Sequence, residues 1–171
     1  KALRKSIGLV LQEPFLYHGT IASNIRMYHE ELTDEEIRQA AAFVDVADFI
    51  ESLPGGYDHP VTERGSTLST GQRQLLAFAR TIAAQPKILI LDEATANIDQ
   101  EMEEMIQNSL KKMRQGRTTI AIAHRLSTIQ DADCIYVLDK GKIIESGNHD
   151  QLIALGGTYK KMYDLQAGMM K

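Results

Sequence analysis

Three short runs of apolar or β-branched residues, each followed at once by a polar side chain, constrain the fold of this chain most strongly. They are residues 7–11 before Gln12, residues 88–91 before Asp92 and Glu93, and residues 118–123 before His124. The continuous apolar run over 88–91 is typical of a strand in a parallel sheet that is buried on both faces. Because ligands bind at the carboxyl ends of such strands, we expect the polar side chains to share one site.

Helix signals separate these runs, and the alternation predicts an α/β fold. The stretch over 20–52 contains the capping-box pair Thr33 and Glu36, followed by apolar residues at helical spacing. Ser69 and Gln72 repeat the capping-box spacing at the start of another helix. The remaining predicted elements are an apolar helical stripe of Leu75, Phe78, Ala79, Ile82 and Ala83, a helix over 100–113, and a hairpin that pairs 134–138 with 142–145.

Composition places the chain among soluble globular domains. It has 171 residues, of which 43% are hydrophobic and 25% charged, enough for one domain with a core. The net charge of -4 and the scattered basic residues do not favour nucleic acid as a partner. The apolar runs are far shorter than the roughly 20 residues of a membrane-spanning helix. A single cysteine, Cys134, fits a reducing cytosolic setting.

The side chains at the strand ends suit phosphate chemistry, although each also has a simpler structural interpretation. Asp92 on a rigid strand could hold Mg²⁺, and Glu93 could orient or deprotonate a water molecule. The same pair could equally cap a helix or lie solvated in a loop. His124 could donate a hydrogen bond to a phosphate or be a structural histidine, and Gln12 alone is typical of a surface residue.

The predicted helix start at Ser69 is a second candidate anion site. Free backbone N–H groups and the positive end of the helix dipole favour a phosphate there. Helix capping by Ser69 and Gln72 explains the same residues without a ligand, and the two interpretations are compatible.

Five segments, in a fixed order along the chain, together match the motifs of one protein family. They are Gln12–Leu16 (QEPFL), Leu68–Gln74 (LSTGQRQ), Ile88–Glu93 (ILILDE), Ala96–Asp99 (ANID) and Ile122–Leu126 (IAHRL). In that order they resemble the Q-loop, signature motif, Walker B motif, D-loop and H-loop of ATP-binding cassette (ABC) proteins. The chain therefore resembles the nucleotide-binding domain of an ABC transporter of the exporter type, and the resemblance covers nearly its whole length.

The resemblance implies a role for each matching residue. Gln12 and Asp92 would serve Mg²⁺ and its waters, Glu93 would be the catalytic base, and His124 would be the γ-phosphate switch. ATP bound by a second nucleotide-binding domain, in a homodimer or a heterodimer, would be contacted in trans by Ser69, Thr70, Gly71 and Gln72. Asp99 would help to couple the two ATP sites.

A further resemblance concerns the membrane-spanning partner. Residues 62–65 (TERG), with Glu63 and Arg64, resemble the exporter-specific loop that contacts the intracellular loops of the transmembrane domain, although alone they would be a charged turn. Phe15, Leu16 and Tyr17 are apolar in what should be an exposed loop, so they are candidates for a groove that receives a coupling helix. The implied location is the cytoplasmic face of the cell membrane.

Two departures from the family pattern affect the expected activity. Thr70 stands where the signature motif usually has a glycine, and its Cβ would weaken the approach of the backbone to phosphate, as in asymmetric heterodimers. The 171 residues also contain no G-x-x-x-x-G-K-[ST] sequence, the Walker A loop that cradles phosphates. We therefore expect the isolated chain to be inactive, and we expect its parent, the intact transporter that carries these residues, to be an ATPase.

The expected organisation is a P-loop NTPase-like parallel sheet with an inserted α-helical signature subdomain, truncated at its N-terminal side. Residues 1–171 would be a partial nucleotide-binding domain, with about 14–84 as the helical subdomain and 1–13 and 85–171 as part of the catalytic core. In the parent it would hydrolyse ATP to power export. The alternatives are a noncatalytic fragment or docking module, or an ABC ATPase of the chromosome-maintenance or repair class, in which coiled coils separate the two halves.

Overall fold

A computed structural model of the chain describes residues 6–27, 29–92 and 98–168, which form two compact units. The first unit extends to Ile122, and the second begins at Ala123. The elements of the first unit are β1 (Ile7–Val10), β2 (Gly19–Thr20), α1 (Ile21–Arg26), α2 (Asp34–Phe43), α3 (Ala47–Ser52), β3 (Pro60–Val61), α4 (Thr70–Ala83), β4 (Ile88–Asp92), α5 (Gln100–Arg114) and β5 (Thr118–Ile122).

A three-stranded parallel sheet in the order β1-β4-β5 is the framework of the first unit. Leu91 in the central strand pairs with Val10 on one side and with Ala121 on the other. All three strands therefore end at the same edge. The parallel α/β fold and the positions of its strands, predicted from the apolar runs, are confirmed.

The two faces of this sheet differ in their burial. Val10, Leu89 and Leu91 are buried in a core that also contains apolar side chains of α4 and α5. On the other face Leu9 is 52% exposed and Ile120 is 56% exposed. The expectation of a sheet buried on both faces is therefore wrong for the described residues, because α4 and α5 cover only one face.

Capping boxes begin α2 and α4. The Thr33 side chain accepts the N–H of Glu36 while the Glu36 carboxylate accepts the N–H of Thr33, so the predicted capping box of α2 is confirmed. The same reciprocal pair begins α4 at Ser69 and Gln72. The predicted apolar stripe of α4 is buried at every position, namely Leu75, Phe78, Ala79, Ile82 and Ala83.

The second unit is a hairpin with two helices. Its elements are β6 (Ile135–Asp139), β7 (Lys142–Gly147), α6 (His149–Leu155) and α7 (Thr158–Gln166). β6 and β7 are antiparallel, which confirms the predicted hairpin. A small core of Leu126, Ile135, Leu152 and Tyr159 is buried within this unit.

Across the described ranges 6–27, 29–92 and 98–168, every helix is too short or too polar to cross a bilayer.

Candidate functional site

Asp92 and Gln12 follow neighbouring strands at the carboxyl edge of the sheet. Asp92 is the last residue of the central strand β4 and pairs with Ile122 of β5. Val10 ends β1 beside Leu91, and Gln12 lies two residues farther along in an exposed bend. The register thus places Asp92 at the end of one strand and Gln12 just past the end of its neighbour, at the edge where ligands bind in sheets of this kind.

The side chains at this edge are of the chemical type that binds a magnesium ion. A carboxylate and a side-chain amide offer the hard oxygen ligands that Mg²⁺ prefers. Mg²⁺ usually takes only one or two carboxylates from a protein and completes its octahedral shell with waters and substrate phosphates. Asp92 is partly buried at the end of a strand, so the backbone that carries its carboxylate is held in place by the sheet.

The two predicted catalytic residues, Glu93 and His124, are not among the described residues of the first unit. Glu93 falls outside the described residues, as do Ala96 and Asn97 of the segment that resembles the D-loop. His124 belongs to the second unit, where it is exposed and where its backbone carbonyl accepts a hydrogen bond from the Gln166 side chain.

Reciprocal hydrogen bonds fix the start of α4, which carries the segment that resembles the signature motif. The Ser69 hydroxyl accepts the N–H of Gln72 at 3.1 Å, and the Gln72 amide oxygen accepts the N–H of Ser69 at 2.9 Å. Ser69 is exposed, so its hydroxyl is accessible while it caps the helix. Capping orders the first turn, whose backbone N–H groups carry the positive end of the helix dipole.

Thr70, the residue that departs from the family pattern, is held by an arginine one turn later. Arg73 donates through Nη2 to the Thr70 hydroxyl at 3.1 Å and through Nη1 to the Leu68 carbonyl at 2.6 Å. The first bond ties the exposed Thr70 side chain to its own helix, and the second ties the residue before Ser69 to the same arginine. The guanidinium group also brings a positive charge to the helix start, which favours an anion there.

Gly71 packs directly against the start of α5. A Cβ atom at Gly71 would collide with the Met102 side chain. Asp99 caps the same helix by accepting the N–H of Met102 at 2.9 Å. The structure therefore joins the signature-like segment to the end of the D-loop-like segment within one chain, and only glycine allows this approach at position 71.

The segment after Gln12 combines one core residue with two exposed aromatic rings. Leu16 is fully buried, so the expectation that it belongs to an exposed loop is wrong. Phe15 is 42% and Tyr17 44% exposed, and their rings make an edge-to-face pair with centroids 4.9 Å apart. The buried leucine anchors the segment and leaves its neighbours on the surface.

The charged turn at 63–65 lies beside these aromatic residues. The Arg64 N–H donates to the Leu16 carbonyl at 3.0 Å, and a Cβ at Gly65 would meet Leu16 Cδ1. Glu63 and Arg64 are both exposed. We call Phe15, Tyr17, Glu63 and Arg64 the candidate coupling surface, since the structure brings their two segments together.

A buried polar network that the sequence analysis missed supports this surface. Asn24 is 2% exposed, and its amide bonds the backbone N–H and carbonyl of Tyr17 at 2.8 and 2.9 Å. Arg80 of α4 donates to the Phe15 carbonyl and to the Asn24 carbonyl. The one sequence signal was an asparagine between Ile21 and Ile25, at a position of α1 that should face the core.

Known proteins resemble this chain in sequence over nearly its whole length. The sequence matches the ABC transporter family over residues 1–96. It is 77% identical over 168 residues to the ABC transporter ATP-binding protein exp8 of Streptococcus pneumoniae, covering 98% of this chain. It is 55% identical to the ATP-binding/permease protein YheH of Bacillus subtilis, covering 97% of the chain. It is 49% identical to an ATP-dependent lipid A-core flippase of Shewanella, covering 98%.

Structural similarity agrees with the sequence match. A bacterial Atm1-family ABC exporter with ATP bound has a TM-score of 0.86 and 43% identity, covering 96% of this chain and 29% of that one. The chain spans between 25% and 29% of the length of the three relatives above. More than half of the chain matches the family, and that half includes the strand ends at Gln12 and Asp92 and the helix start at Ser69. The chain belongs to the ABC transporter family.

Proposed function

We propose that these residues are part of an ATP-hydrolysing domain that powers export across a membrane. In this proposal Asp92 and Gln12 bind Mg²⁺ and its waters, and Glu93 accepts a proton from the attacking water. The position of Asp92 at the end of the central strand, one residue before Glu93, is the observation that carries the proposal. The relatives named above are transport proteins, which favours this function over chromosome maintenance or repair.

A second nucleotide-binding domain completes the proposed site. Ser69, Thr70, Gly71 and Gln72 present the N-terminal end of α4 to ATP held by that domain. His124 has a separate proposed role with Glu93 as the γ-phosphate switch, in which it donates a hydrogen bond. The exposed, fully capped start of α4 supports this assignment. Asp99 holds the start of α5 against Gly71, so a shift of the D-loop reaches the signature segment directly.

We propose that the candidate coupling surface contacts a transmembrane domain and that the protein acts at the cytoplasmic face of the membrane. Two exposed aromatic rings beside Glu63 and Arg64 offer a mixed apolar and charged patch that fits an amphipathic helix. The network of Asn24 and Arg80 connects this patch to α4 by hydrogen bonds, because Arg80 of α4 donates to the Phe15 and Asn24 carbonyls. Movement of the docked helix is thereby passed to the signature segment.

The catalytic proposal is tested with Glu93→Gln in the complete transporter that carries these residues. We expect ATP turnover to fall by about 10² to 10⁴, because the proton acceptor is lost, while ATP affinity stays the same. Steady-state hydrolysis and nucleotide binding are measured on the same preparation. Glu101→Gln, in the exposed first turn of α5, is the matched control and should leave turnover unchanged. More than half of the wild-type rate in Glu93→Gln would refute its role as the base.

The 171-residue chain by itself is expected to bind ATP weakly and to have negligible Mg-ATPase activity. The sequence contains no Walker A loop, so most phosphate ligands would have to come from residues beyond these. Calorimetric titration with Mg-ATP tests this expectation. A micromolar dissociation constant for the 171-residue chain, measured at a concentration low enough to keep it monomeric, would contradict it.

A further inference from the structure

The side chain of Gln166, at the end of α7, bonds the backbone on both sides of Arg125. Its Nε2 donates to the His124 carbonyl at 2.9 Å, and its Oε1 accepts the N–H of Leu126 at 2.8 Å. One amide that bonds a C=O and an N–H two residues apart reproduces the pairing of a neighbouring strand. The backbone that carries His124 is thus bonded to a residue 42 positions away in sequence.

The helix that presents Gln166 is itself fixed at its other end and along its length. The Glu145 carboxylate accepts the N–H groups of Thr158 and Tyr159 at the start of α7, and these bonds hold the pKa of Glu145 below its ordinary value. The Tyr159 side chain is buried in the core of the second unit. The Tyr163 ring packs edge to face against the His149 ring of α6, with ring centroids 5.1 Å apart. Gln166 is therefore the last residue of a helix whose position within the second unit is fixed.

We infer that Gln166 is a positioning residue that fixes the backbone at His124 and so directs its imidazole group. The inference rests on the proposed role of His124 at the γ-phosphate, and Gln166 acts through the His124 backbone rather than on the nucleotide. Only an amide can make both bonds, since a carboxylate has no N–H to donate and an aliphatic side chain makes neither bond.

The experiment compares Gln166→Leu, Gln166→Glu and Gln130→Leu in the complete transporter. Gln130→Leu is the matched control, because it removes an amide that bonds the Tyr163 hydroxyl of α7 rather than the backbone over 124–126. The readouts are kcat and KM for ATP, and hydrogen exchange of the Leu126 amide. For Gln166→Leu we expect kcat to fall about tenfold with KM within about twofold, since misplacing a group by about 1 Å can cost up to about 10²-fold.

The two Gln166 variants separate the two hydrogen bonds. Gln166→Leu should speed the exchange of the Leu126 amide, which loses its acceptor. Gln166→Glu keeps that acceptor but turns the donor to His124 into an oxygen facing a carbonyl oxygen. Its Leu126 exchange should stay slow while kcat falls. If Gln166→Leu does not fold, the kcat of Gln166→Glu decides the question.

Separate results distinguish this inference from the function on which it rests. His124→Ala is measured alongside, and if it retains wild-type turnover, the proposed role of His124 is wrong. A rise in Leu126 exchange confined to Gln166→Leu would then still support the backbone role of Gln166. Wild-type kcat in both Gln166 variants with an inactive His124→Ala would overturn the inference. So would unchanged Leu126 exchange in Gln166→Leu, or equal losses of kcat in Gln130→Leu.

Discussion

Asn24 shows how a single side chain joins three segments of the first unit. Besides its two bonds to Tyr17, its Nδ2 donates to the Thr20 carbonyl at 3.0 Å, and its Oδ1 accepts from Arg80 Nη2 at 3.1 Å. Loss of this amide would leave partly buried backbone groups and a guanidinium N–H without this partner. The penalty for each unsatisfied buried group is about 1–3 kcal/mol.

Asn24→Leu should therefore lower the free energy of unfolding by about 2–4 kcal/mol, although leucine has a similar volume. Urea titration of a complete nucleotide-binding domain that carries the sequence measures this change. Asn108→Leu, an exposed asparagine on α5, serves as the control and should change it by less than about 0.5 kcal/mol. Equal effects of the two substitutions would show that the buried hydrogen bonds of Asn24 contribute no net stability.

Glu145 predicts a pH dependence with a definite sign. Backbone N–H groups of Tyr159 and Thr158 hold its pKa below the ordinary 4.5, because they bond the charged carboxylate. A carboxyl group with a lowered folded-state pKa contributes stability that is present above its unfolded value and lost as pH falls through the folded value. The advantage of wild type over Glu145→Gln should be constant from neutral pH down to about 4.5 and shrink below it.

Thermal unfolding of both forms between pH 7 and the acid limit of solubility tests this pH dependence. An advantage of wild type that grows as pH falls would contradict the assigned role of Glu145.

At the scale of elements, Gly8 sets how closely α4 and β4 approach β1. A Cβ at this position would lie 2.6 Å from Thr81 Cγ2, 2.8 Å from Pro86 Cγ and 3.1 Å from Leu89 Cδ2. These distances are shorter than van der Waals contacts, so a methyl group there must push the helix or its connection away from the sheet. Gly8 thus allows the close packing of α4 and β4 against β1 because it has no side chain.

Gly8→Ala should lower the free energy of unfolding by about 1–3 kcal/mol through overpacking. Adding Thr81→Ser removes the nearest methyl group and keeps the hydroxyl that donates to the Ala77 carbonyl, so it should recover part of the loss. Chemical unfolding of wild type, both single variants and the double variant measures the recovery. Strictly additive losses would show that Thr81 is not the group against which the new methyl packs.

Local signals explain which elements were predictable from the sequence. Thr33 with Glu36 and Ser69 with Gln72 were correctly predicted as capping boxes, because each pair lies within one helical turn and requires no distant partner. Leu16 was placed wrongly because its burial depends on Gly65, a residue far along the chain. The Gln166 bonds to the backbone at 124 and 126 were missed for the same reason.

At the scale of the whole molecule, the sheet leaves one apolar face uncovered by the described residues. Leu9 pairs with Ile90 and Ile90 with Ile120, so these side chains form a row across that face. Leu9, Ile120 and Ile122 are each more than half exposed. Contiguous exposed apolar surface of this kind promotes association.

The purified 171-residue chain should therefore self-associate, and Ile120→Lys should reduce this, because a charge in the row opposes its burial. Sedimentation velocity over a concentration series is the measurement. Phe43→Lys, an exposed apolar residue at the end of α2, is the control and should not reduce association. A monomeric wild-type chain, or equal effects of both lysines, would contradict the role of this face.

The central claim is that the start of α4 acts on ATP held by a facing domain, and Ser69 is the residue with which to test it. Gly71→Asp would confound the test, because a side chain there collides with Met102 of the same chain. Asp and Asn are both good N-cap residues and have nearly the same shape, so either preserves the helix start at Ser69. The two variants differ in charge alone.

The most direct measurement is nucleotide trapping at each composite ATP site in transporters with one variant domain and one wild-type domain. Like charges about 4 Å apart repel by about 4 kcal/mol at an effective dielectric constant of about 20. We expect Ser69→Asp to lower trapping more than about tenfold at the site built on the partner's phosphate loop, whereas Ser69→Asn should stay near wild type. Loss confined to the site built on the phosphate loop of the same subunit would contradict the facing arrangement.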